Sequence, residues 1–400
     1  MKYINDNWRI TRERIYLSLL AIEIILRVVD ISIVSYQKSV IGGYILSFEV
    51  FWIPVMLGVL YAADIIIENG VTGIFKSYKK LCLDVFIGIF FIIVAYKSYS
   101  FHLLAIGAFI FTADKSSMKN IAKVIAVCLG VTTIFIMILS QIGILEDILI
   151  YDRFGRVAHS FGFLHYGFFP RQLLFAWLAY LYGKDKKESW PMLVAQLVLI
   201  FVIFYFTTQR LTFIVFIISW IMYIIFVKCE FIKVNSIFMK VCSLIGFAVT
   251  GCISILLSYF YNPDIAWMNK INSLITGRLY LGKIAFDRYS IPLLGQHIVY
   301  STGENGESFF VIDCGYIEML LCYGLILFII IMLMYSIIHL YACFKNQSML
   351  FVWATAVMIE TTVDNAWNEL SAAATLLLLF GCISKEFINS IEKTSYDKLL

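Results

Sequence analysis

The sequence of 400 residues has few charged side chains, since Asp, Glu, Lys and Arg together make up 14% of it. In contrast, 61% is hydrophobic, and the mean hydropathy is +0.87. A soluble chain of this length must cover its surface with far more charge. The composition therefore excludes a soluble globular protein, gives no basis for nucleic-acid binding, and predicts an all-α, polytopic membrane protein in a single domain, residues 1–400.

Proline and glycine are also scarce, with 5 and 23 residues, and they form no low-complexity tract and no repeat. The nine cysteines include no Cys-x-x-Cys pair, and most lie inside apolar runs. This pattern predicts small core residues rather than a disulfide framework or a metal site. The sequence also lacks an Asp-x-Asp motif and a histidine cluster, so we expect neither a metal nor another cofactor.

Long apolar runs are abundant, and about 20 apolar residues suffice for one membrane crossing. The basic start, MKYINDNWRITRER, is too polar for a signal peptide, so the first run predicts a retained signal-anchor helix. The stretch 349–384 must hold two crossings, because one helix of that length would overshoot the bilayer at about 1.5 Å per residue. Twelve crossings are predicted, near 15–36, 44–67, 81–96, 99–113, 121–144, 164–182, 190–207, 211–228, 238–259, 313–342, 349–364 and 368–384.

The basic residues predict the orientation of these crossings in the cytoplasmic membrane. With a cytoplasmic N-terminus, 20 of the 31 Lys and Arg residues fall in cytoplasmic segments, as the positive-inside rule requires. Both termini are therefore predicted inside. The main outer loops are then residues 145–170 and residues 260–312.

Lysine and arginine are distributed differently between the two faces. Seventeen of the 20 inner basic residues are lysine, whereas six of the ten outer ones are arginine. Arginine binds phosphate or carboxylate through two parallel hydrogen bonds, so the outer face is predicted to bind an anion. The alternative is contact with lipid headgroups or acidic loop residues. The outer arginines are Arg153, Arg156, Arg171, Arg210, Arg278 and Arg288.

The first outer loop contains GRVAHSFGFLHYGFFPRQ, residues 155–172. A helix here would place Arg156 and His159 on one face. The aromatic residues would seat the loop at headgroup depth, and His159 or His165 is a plausible proton acceptor for a hydroxyl group. The alternative is an aromatic anchor whose histidines have no chemical role.

Two further outer segments carry arginine. Arg210 follows a short polar stretch between two apolar helices, where it is either functional or a simple turn residue. In the loop 260–312, the spacing of apolar residues predicts one or two amphipathic helices on the outer leaflet, with Arg278 and Arg288 at headgroup level.

Acidic residues follow where the chain returns to the membrane. Asp313 and Glu318 are predicted to open the tenth crossing, where Asp313 either serves the site or caps the helix dipole. Other ionisable residues inside helices are interpreted as structural or packing residues: Glu23, Arg27, Asp30, His102, His339, Glu360 and Asp364.

Several of these stretches together resemble one enzyme family. The loop motif SFGF with its following histidine, the isolated arginine of TTQR, and the succession TGRLYLGKIAFDRYSIPLLGQHI to DCGYIEMLLCYG resemble the Wzy polysaccharide polymerases, over about residues 150–325. That family is similar to O-antigen ligases and has a fold like the GT-C membrane glycosyltransferases. It often has His-Pro-Asn at the loop histidine, where this chain has His165, Tyr166 and Gly167.

The resemblance implies a metal-independent transfer on the outer face of the membrane. A growing glycan leaves its undecaprenyl pyrophosphate carrier and joins a hydroxyl of the next lipid-linked repeat unit. It implies His165 as the base, with His159 in reserve, and Arg156, Arg210, Arg278 and Arg288 as ligands of the pyrophosphate. Secondary candidates are Arg153, Arg171, Asp313, Tyr316 and Glu318.

The expected partners are the lipid-linked oligosaccharide, membrane lipid, and flippase and chain-length regulator proteins. Three alternatives stay open. A glycan ligase of the same fold differs only in its acceptor. A transporter or flippase of lipid-linked sugars would show internal repeats, broken helices and charge pairs at mid-membrane. A non-catalytic scaffold would tolerate loss of single arginines.

Overall fold

The computed structural model describes residues 2–37, 39–76, 78–151, 155–301 and 309–383, and most of these are helical. The protein is thus a mostly helical membrane protein; the topology of twelve crossings and the GT-C-like fold stay predictions. Within the described ranges, six helices are long and apolar enough to cross a membrane: Gly42–Ile67, Met118–Gln141, Trp190–Thr207, Arg210–Lys228, Ile237–Tyr259 and Gly324–Phe344.

The chain was predicted as one domain, and its contacts divide it into two compact units. Unit 1 comprises Met1–Ile89, His102–Phe213 and Glu369–Leu400, and unit 2 comprises Phe90–Phe101 and Ile214–Asn368. The helix Tyr78–Ser98 contributes residues to both.

Unit 1 contains the first half of the helices and one short hairpin. A π-helix, Phe48–Trp52, joins two of its helices, and a short 3-10 turn, Ala113–Lys115, follows another. The elements are α1 (Lys2–Asp30), α2 (Ile33–Gln37), α3 (Ser39–Ser47), α4 (Ile53–Lys76), α5 (Tyr78–Ser98), α6 (His102–Thr112), α7 (Met118–Gln141), β1 (Leu149–Tyr151), β2 (Val157–His159), α8 (Phe168–Gly183), α9 (Trp190–Thr207), the first turn of α10 (Arg210–Met222), and, near the end of the described chain, a helix at Ala374–Ile383.

Close packing of α7 against α8 forms the centre of unit 1, and α1 packs on α7. Gly130 of α7 faces Ala176 of α8, and a Cβ built on Gly130 would lie 3.8 Å from the Ala176 Cβ. Small residues at such a contact let two apolar helices approach closely without a hydrophobic driving force between them.

The N-terminal half of α1 carries a buried charge that is fully paired. Arg12 is 0% exposed. Its Nε donates to Asp64 Oδ2 at 2.9 Å, and its Nη2 donates to the Thr112 carbonyl and lies 3.4 Å from Asp114 Oδ1. Lys115 Nζ lies 3.3 Å from Asp64 Oδ1. Two cations thus face two carboxylates, which is the arrangement that a buried ion pair needs.

Unit 2 contains the end of α5 and the remaining helices. Its core is the packing of α11 on α15, where Phe247 and Tyr335 stack at 4.9 Å with an interplanar angle of 8°. After the rest of α10 and a π-helix at Tyr223–Lys228, its elements are α11 (Ile237–Tyr259), α12 (Ala266–Leu274), α13 (Arg278–Arg288), α14 (Gly315–Cys322), α15 (Gly324–Phe344) and α16 (Ser348–Glu360).

The predicted crossing at 313–342 is shorter than expected, because only Gly324–Phe344 forms the long apolar helix and Gly315–Cys322 is a separate short one. The helix breaks at Tyr323, because Gly324 has a φ of +89°. The extended chain near Gly295 fills the break: Gln296 N donates to the Cys322 carbonyl at 2.9 Å, and Leu325 N donates to the Pro292 carbonyl at 2.9 Å. Backbone groups freed by the break are therefore satisfied within unit 2.

The bounds of other predicted segments agree with those of the observed helices to different degrees. The predicted crossing 190–207 coincides with α9, and 238–259 differs from α11 by one residue. The predicted run 164–182 becomes helical only at Phe168. The helices expected in residues 260–312 are found as α12 and α13, and Met268 of α12 and Leu279 of α13 pack with Tyr261. Their placement on the outer leaflet stays a prediction.

Candidate functional site

The loop between α7 and α8 (residues 142–167, the hairpin loop) contains the only β-strands found in the described part of the chain. Strands β1 and β2 pair antiparallel, with Leu149 opposite His159 and Tyr151 opposite Val157. The prediction that Arg156 and His159 share a helical face is therefore wrong. Apolar and β-branched residues favour the extended form here, and Gly155 has a φ of +73° at the turn. Arg153 lies outside the described residues.

The hairpin holds His159 against a carboxylate that the sequence reading missed. His159 Nδ1 lies 2.6 Å from Asp147 Oδ2. The other oxygen, Asp147 Oδ1, accepts a hydrogen bond from Phe161 N at 2.8 Å. A carboxylate can only accept, so it fixes the tautomer that carries the proton on Nδ1 and leaves a lone pair on Nε2. The register of the hairpin is the signal that indicates this contact, because Asp147 lies two residues before Leu149, the residue opposite His159.

Aromatic rings surround this pair. The ring of His159 lies 5.5 Å from that of Phe161 and 6.0 Å from that of Phe206 in α9. Phe161 packs in turn on Phe169 at 4.8 Å. The side chain of His159 is 32% exposed, so it is positioned by packing and still open to solvent on one side. Such a histidine, oriented by a carboxylate, has the arrangement of a general base.

Arg156 borders an apolar groove on α9. Its guanidinium carbon lies 5.7 Å from the centre of the Phe204 ring. The groove has a volume of about 560 Å³ and is lined by Arg156 and by Val198, Phe201, Val202, Phe204, Tyr205 and Phe206. It therefore combines one cation with a long apolar surface, which suits an anionic head attached to a hydrocarbon chain.

The end of the hairpin loop reaches the turn between α9 and α10. His165 Nδ1 accepts a hydrogen bond from Gly167 N at 3.1 Å, so His165 carries its proton on Nε2. A Cβ built on Gly167 would lie 2.8 Å from Gln209 Nε2. Gln209 precedes Arg210, the first residue of α10, and Thr208 makes the turn with a φ of +51°. Unit 1 therefore gathers Arg156, His159, His165 and Arg210 near the C-terminal end of α9.

Arg171 is held elsewhere in unit 1. It is 1% exposed, its Nη2 donates to Glu369 Oε2 at 2.6 Å, and its guanidinium lies 4.7 Å from the Phe168 ring. A buried arginine bound to a carboxylate in this way is an ion pair of the core. This geometry favours a structural role for Arg171 over contact with a substrate.

The C-terminal end of α1 forms a second charged network, here called the Arg27 network. Arg27 Nη1 lies 2.9 Å from Asp30 Oδ2 and 2.9 Å from His102 Nε2, and Arg27 Nη2 lies 3.6 Å from Glu369 Oε1. His102 Nδ1 lies 3.2 Å from Glu49 Oε2. The interpretation of His102 as an ordinary packing histidine is wrong, because both its ring nitrogens face charged groups.

In unit 2, Arg278 is bound by the chain itself. Its Nε donates to the Val363 carbonyl at 2.7 Å, its Nη1 donates to the Ile275 carbonyl at 3.1 Å and to the Thr276 hydroxyl, and its Nη2 lies 3.8 Å from Asp313 Oδ2. Burial raises the pKa of Asp313, and Arg278 opposes that shift. Asp313 lies just before α14, so it contacts Arg278 from outside the helix.

Arg288 has a different environment from Arg278. Its guanidinium lies 4.7 Å from the Phe310 ring, on which Tyr289 and Tyr300 also stack. Burial, followed by the charge of Glu318, raises the pKa of the Tyr300 hydroxyl far above its ordinary value, and this hydroxyl donates to Glu318 Oε1 at 3.4 Å.

The two remaining candidates of unit 2 are buried. Glu318 Oε2 also accepts a hydrogen bond from Trp367 Nε1 at 3.1 Å. Tyr316 is 0% exposed, and its hydroxyl lies 2.9 Å from Thr250 Oγ1 and donates to the Met358 carbonyl at 3.0 Å. Both side chains have the contacts of structural residues.

Comparisons with protein-family models, with curated proteins and with solved structures find no match for this chain. Its function must therefore be argued from its own residues. Unit 1 holds a histidine with an orienting carboxylate beside an arginine-lined apolar groove. Unit 2 holds one arginine bound by its own backbone and one above an aromatic ring.

Proposed function

We propose that this protein is a membrane glycosyltransferase of the polysaccharide polymerase type. Its donor is a glycan attached to undecaprenyl pyrophosphate, and its acceptor is the terminal sugar hydroxyl of the next lipid-linked repeat unit. The reaction takes place on the outer face of the cytoplasmic membrane and extends a capsular or exopolysaccharide chain.

One observation carries this proposal: the His159–Asp147 pair and the Arg156 groove both lie against α9, within three residues of one another at Phe204 and Phe206. A lipid-linked glycan needs an apolar surface for its chain, a cation for its phosphates and a base near the reacting hydroxyl.

The chemistry follows from the positions of the protons. His159 Nε2 takes the proton of the acceptor hydroxyl while Asp147 stabilises the imidazolium that forms. The acceptor oxygen forms a bond to the anomeric carbon of the donor. The bond from that carbon to the pyrophosphate oxygen breaks, and the pyrophosphate leaves with both electrons.

The leaving pyrophosphate gains negative charge, which guanidinium groups stabilise through paired hydrogen bonds. Arg156 is the first candidate for this role, and Arg210 is the second, because it begins α10 next to Gln209. We propose that these cations replace the divalent ion that many soluble glycosyltransferases use at the transfer step. His159 replaces His165 as the preferred base, because Asp147 orients its ring and leaves a lone pair on Nε2.

The test uses purified protein in lipid nanodiscs with synthetic lipid-linked repeat units and EDTA in the assay buffer. We expect a ladder of products that differ by one repeat unit. His159→Gln should remove the ladder, and His165→Gln is the matched control that should keep it.

Three other outcomes contradict the proposal in different ways. Transfer of one preformed glycan to a foreign acceptor, with no ladder, identifies a ligase. No transfer, with labelled lipid crossing the bilayer of proteoliposomes, identifies a transporter. A ladder that survives the loss of both His159 and Arg156 shows that the chemistry lies elsewhere.

A transporter of lipid-linked sugars is the second candidate function, and the Arg27 network favours it. Ionisable side chains buried among transmembrane helices commonly mark ion pathways. In this case the substrate would cross the membrane in response to a pH gradient, and the same proteoliposomes would show it.

A further inference from the structure

The Arg27 network has a surplus of negative charge. Glu49 is 0% exposed, Glu23 is 2% exposed, and Arg27 is 9% exposed, so the centre of the network is shielded from water. Glu23 interacts electrostatically with Glu49, Arg27 and Asp30. Among the described residues, four carboxyl groups face two guanidinium groups: Glu23, Asp30, Glu49 and Glu369 against Arg27 and Arg171.

The other end of the same helix provides an internal comparison. Around Arg12, two cations face the two carboxylates of Asp64 and Asp114, and the charges balance. Both networks are buried in unit 1 and both include α1. With His102 neutral and all four carboxyl groups ionised, the surplus is two negative charges. Since uncompensated charge is strongly unfavourable at low dielectric, such a surplus calls for a bound cation or for protons.

Glu49 points to a cation. Among the described residues, Glu49 Oε1 has no hydrogen-bond partner and Oε2 has only His102 Nδ1 at 3.2 Å, without hydrogen-bond geometry, although the side chain is fully buried. A buried carboxylate normally accepts several hydrogen bonds. Glu49 also lies in the π-helix Phe48–Trp52, and such segments occur often at functional sites because they turn a side chain out of the regular helical register.

Three side chains offer ligand atoms at this place. One donor atom from each of Asp30, Glu49 and His102 lies within 4.8 Å of the other two. Small inward movements would bring them to the spacing of ligands around a divalent ion. The three come from the end of α1, the π-helix and the start of α6. Asp30 and His102 are 27% and 21% exposed, which leaves a route for entry.

We propose that Asp30, Glu49 and His102 bind one divalent transition-metal ion that neutralises the Arg27 network and fastens these three segments together. Two carboxylates with one imidazole favour Mn²⁺ or Zn²⁺ over Mg²⁺, because nitrogen ligands suit transition metals. The ion binds His102 at Nδ1, and the single ring proton moves from Nδ1 to Nε2, so the imidazole stays neutral and no proton is released. Arg27 can then no longer donate to Nε2 and turns towards Glu369. The role is structural, so this inference does not rest on the proposed function.

The experiment measures metal content in the purified full-length protein. Wild type, Glu49→Gln and Asp287→Asn are each equilibrated with Zn²⁺ or Mn²⁺, dialysed and analysed by mass spectrometry. Asp287 is the matched control, since it is an exposed carboxylate that pairs with Lys283 in unit 2. We expect about one ion per chain in wild type and Asp287→Asn, and none in Glu49→Gln.

Two further measurements use the wild-type protein alone, so they do not depend on whether a variant folds. Added Mn²⁺ or Zn²⁺ should raise the Tm of wild type by a few degrees, whereas Mg²⁺ should not. Pulsed EPR of the Mn²⁺-loaded wild type should detect one imidazole nitrogen. Equal metal in wild type and Glu49→Gln, or Mn²⁺ without a nitrogen coupling, overturns the site. If wild type binds no metal at all, protons neutralise the surplus charge, and the proposal is overturned as well.

Discussion

The hairpin loop of unit 1 with the start of α8, and the segment of unit 2 between α11 and α14, each place two arginines in the same two kinds of environment. In and beside the hairpin loop, Arg156 lies above an aromatic ring, and Arg171, near the start of α8, is tied to a carboxylate. In the unit 2 segment, Arg288 lies above an aromatic ring, and Arg278 is tied to Asp313 and to backbone carbonyls. Each region thus pairs an arginine bound by the chain with one above a ring.

The difference between the two regions lies in what accompanies the arginine above the ring. Beside Arg156, unit 1 places a histidine with its orienting carboxylate and an apolar groove. Beside Arg288, the described part of unit 2 offers tyrosine hydroxyls and the buried Glu318. An arginine of this kind is therefore informative only when a reactive group and an apolar surface lie next to it.

The largest expected effect comes from breaking a bound arginine. Arg171→Ala leaves Glu369 buried and unpaired on that side, so we expect a loss of about 3–5 kcal/mol in the free energy of unfolding. Thermal unfolding in detergent measures it. Arg156→Ala should leave the Tm nearly unchanged. If the two variants unfold alike, the distinction between bound arginines and those above a ring is incorrect.

The next effect concerns the histidine that distinguishes the two regions. His159→Gln should lower the rate of chain extension by about 10²- to 10⁴-fold, the usual contribution of a general base. Asp147→Asn should lower it less, since it removes only the orienting carboxylate. His165→Gln is the comparison variant. An equal loss in His165→Gln would return the role of base to that residue.

A smaller effect is expected for the arginines that lie above aromatic rings. Arg156→Ala should weaken binding of a polyprenyl pyrophosphate by about 10- to 100-fold, because charge-assisted hydrogen bonds contribute about 1.5–3 kcal/mol. The affinity of Arg156→Lys should lie between those of wild type and Arg156→Ala, because lysine keeps the positive charge but not the paired donors of a guanidinium. The same binding measurement on Arg288→Ala tests the corresponding arginine of unit 2. Equal losses for Arg156→Ala and Arg288→Ala would show that the neighbouring histidine and groove do not distinguish the arginine that binds phosphate.

The smallest effect concerns Asp313, the acidic partner in unit 2. Burial raises its pKa above the ordinary 3.8, so the folded protein holds this proton more tightly than the unfolded chain. Stability therefore falls as pH rises through the window between 3.8 and the raised value. Asp313→Asn cannot ionise and should flatten the slope in Tm measured from pH 4 to 7. An unchanged slope would assign it to another group.

Sequence periodicity predicted the parts of the fold that depend on local pattern. The apolar spacing from Trp267 to Ile284 indicated the helices found as α12 and α13, and long apolar runs indicated α9 and α11. The break at Tyr323 was missed because the apolar run continues across it, and only the positive φ of Gly324 marks it. A glycine in such a run does not by itself announce a break.

The site was predicted in its residue types but not in its contacts. Arg156 and His159 were named from the sequence, whereas Asp147 was not, because its contact depends on the register of a hairpin. Glu49 and His102 meet across a separation of 53 positions, which no local pattern reports. A lone carboxylate within an apolar run was the available signal for Glu49.

The broken helix in unit 2 has a consequence for how far the α11–α14 segment reaches. A Cβ built on Gly324 would lie 2.7 Å from the carbonyl oxygen of Leu293, and one on Gly295 would lie 2.9 Å from that of Cys322. Irregular backbone survives at membrane depth only when protein encloses it. Two glycines in mutual contact thus let the chain around Gly295 pack directly on the first turn of α15. Alanine at either position would force these two backbone segments apart and displace the chain that follows Arg288.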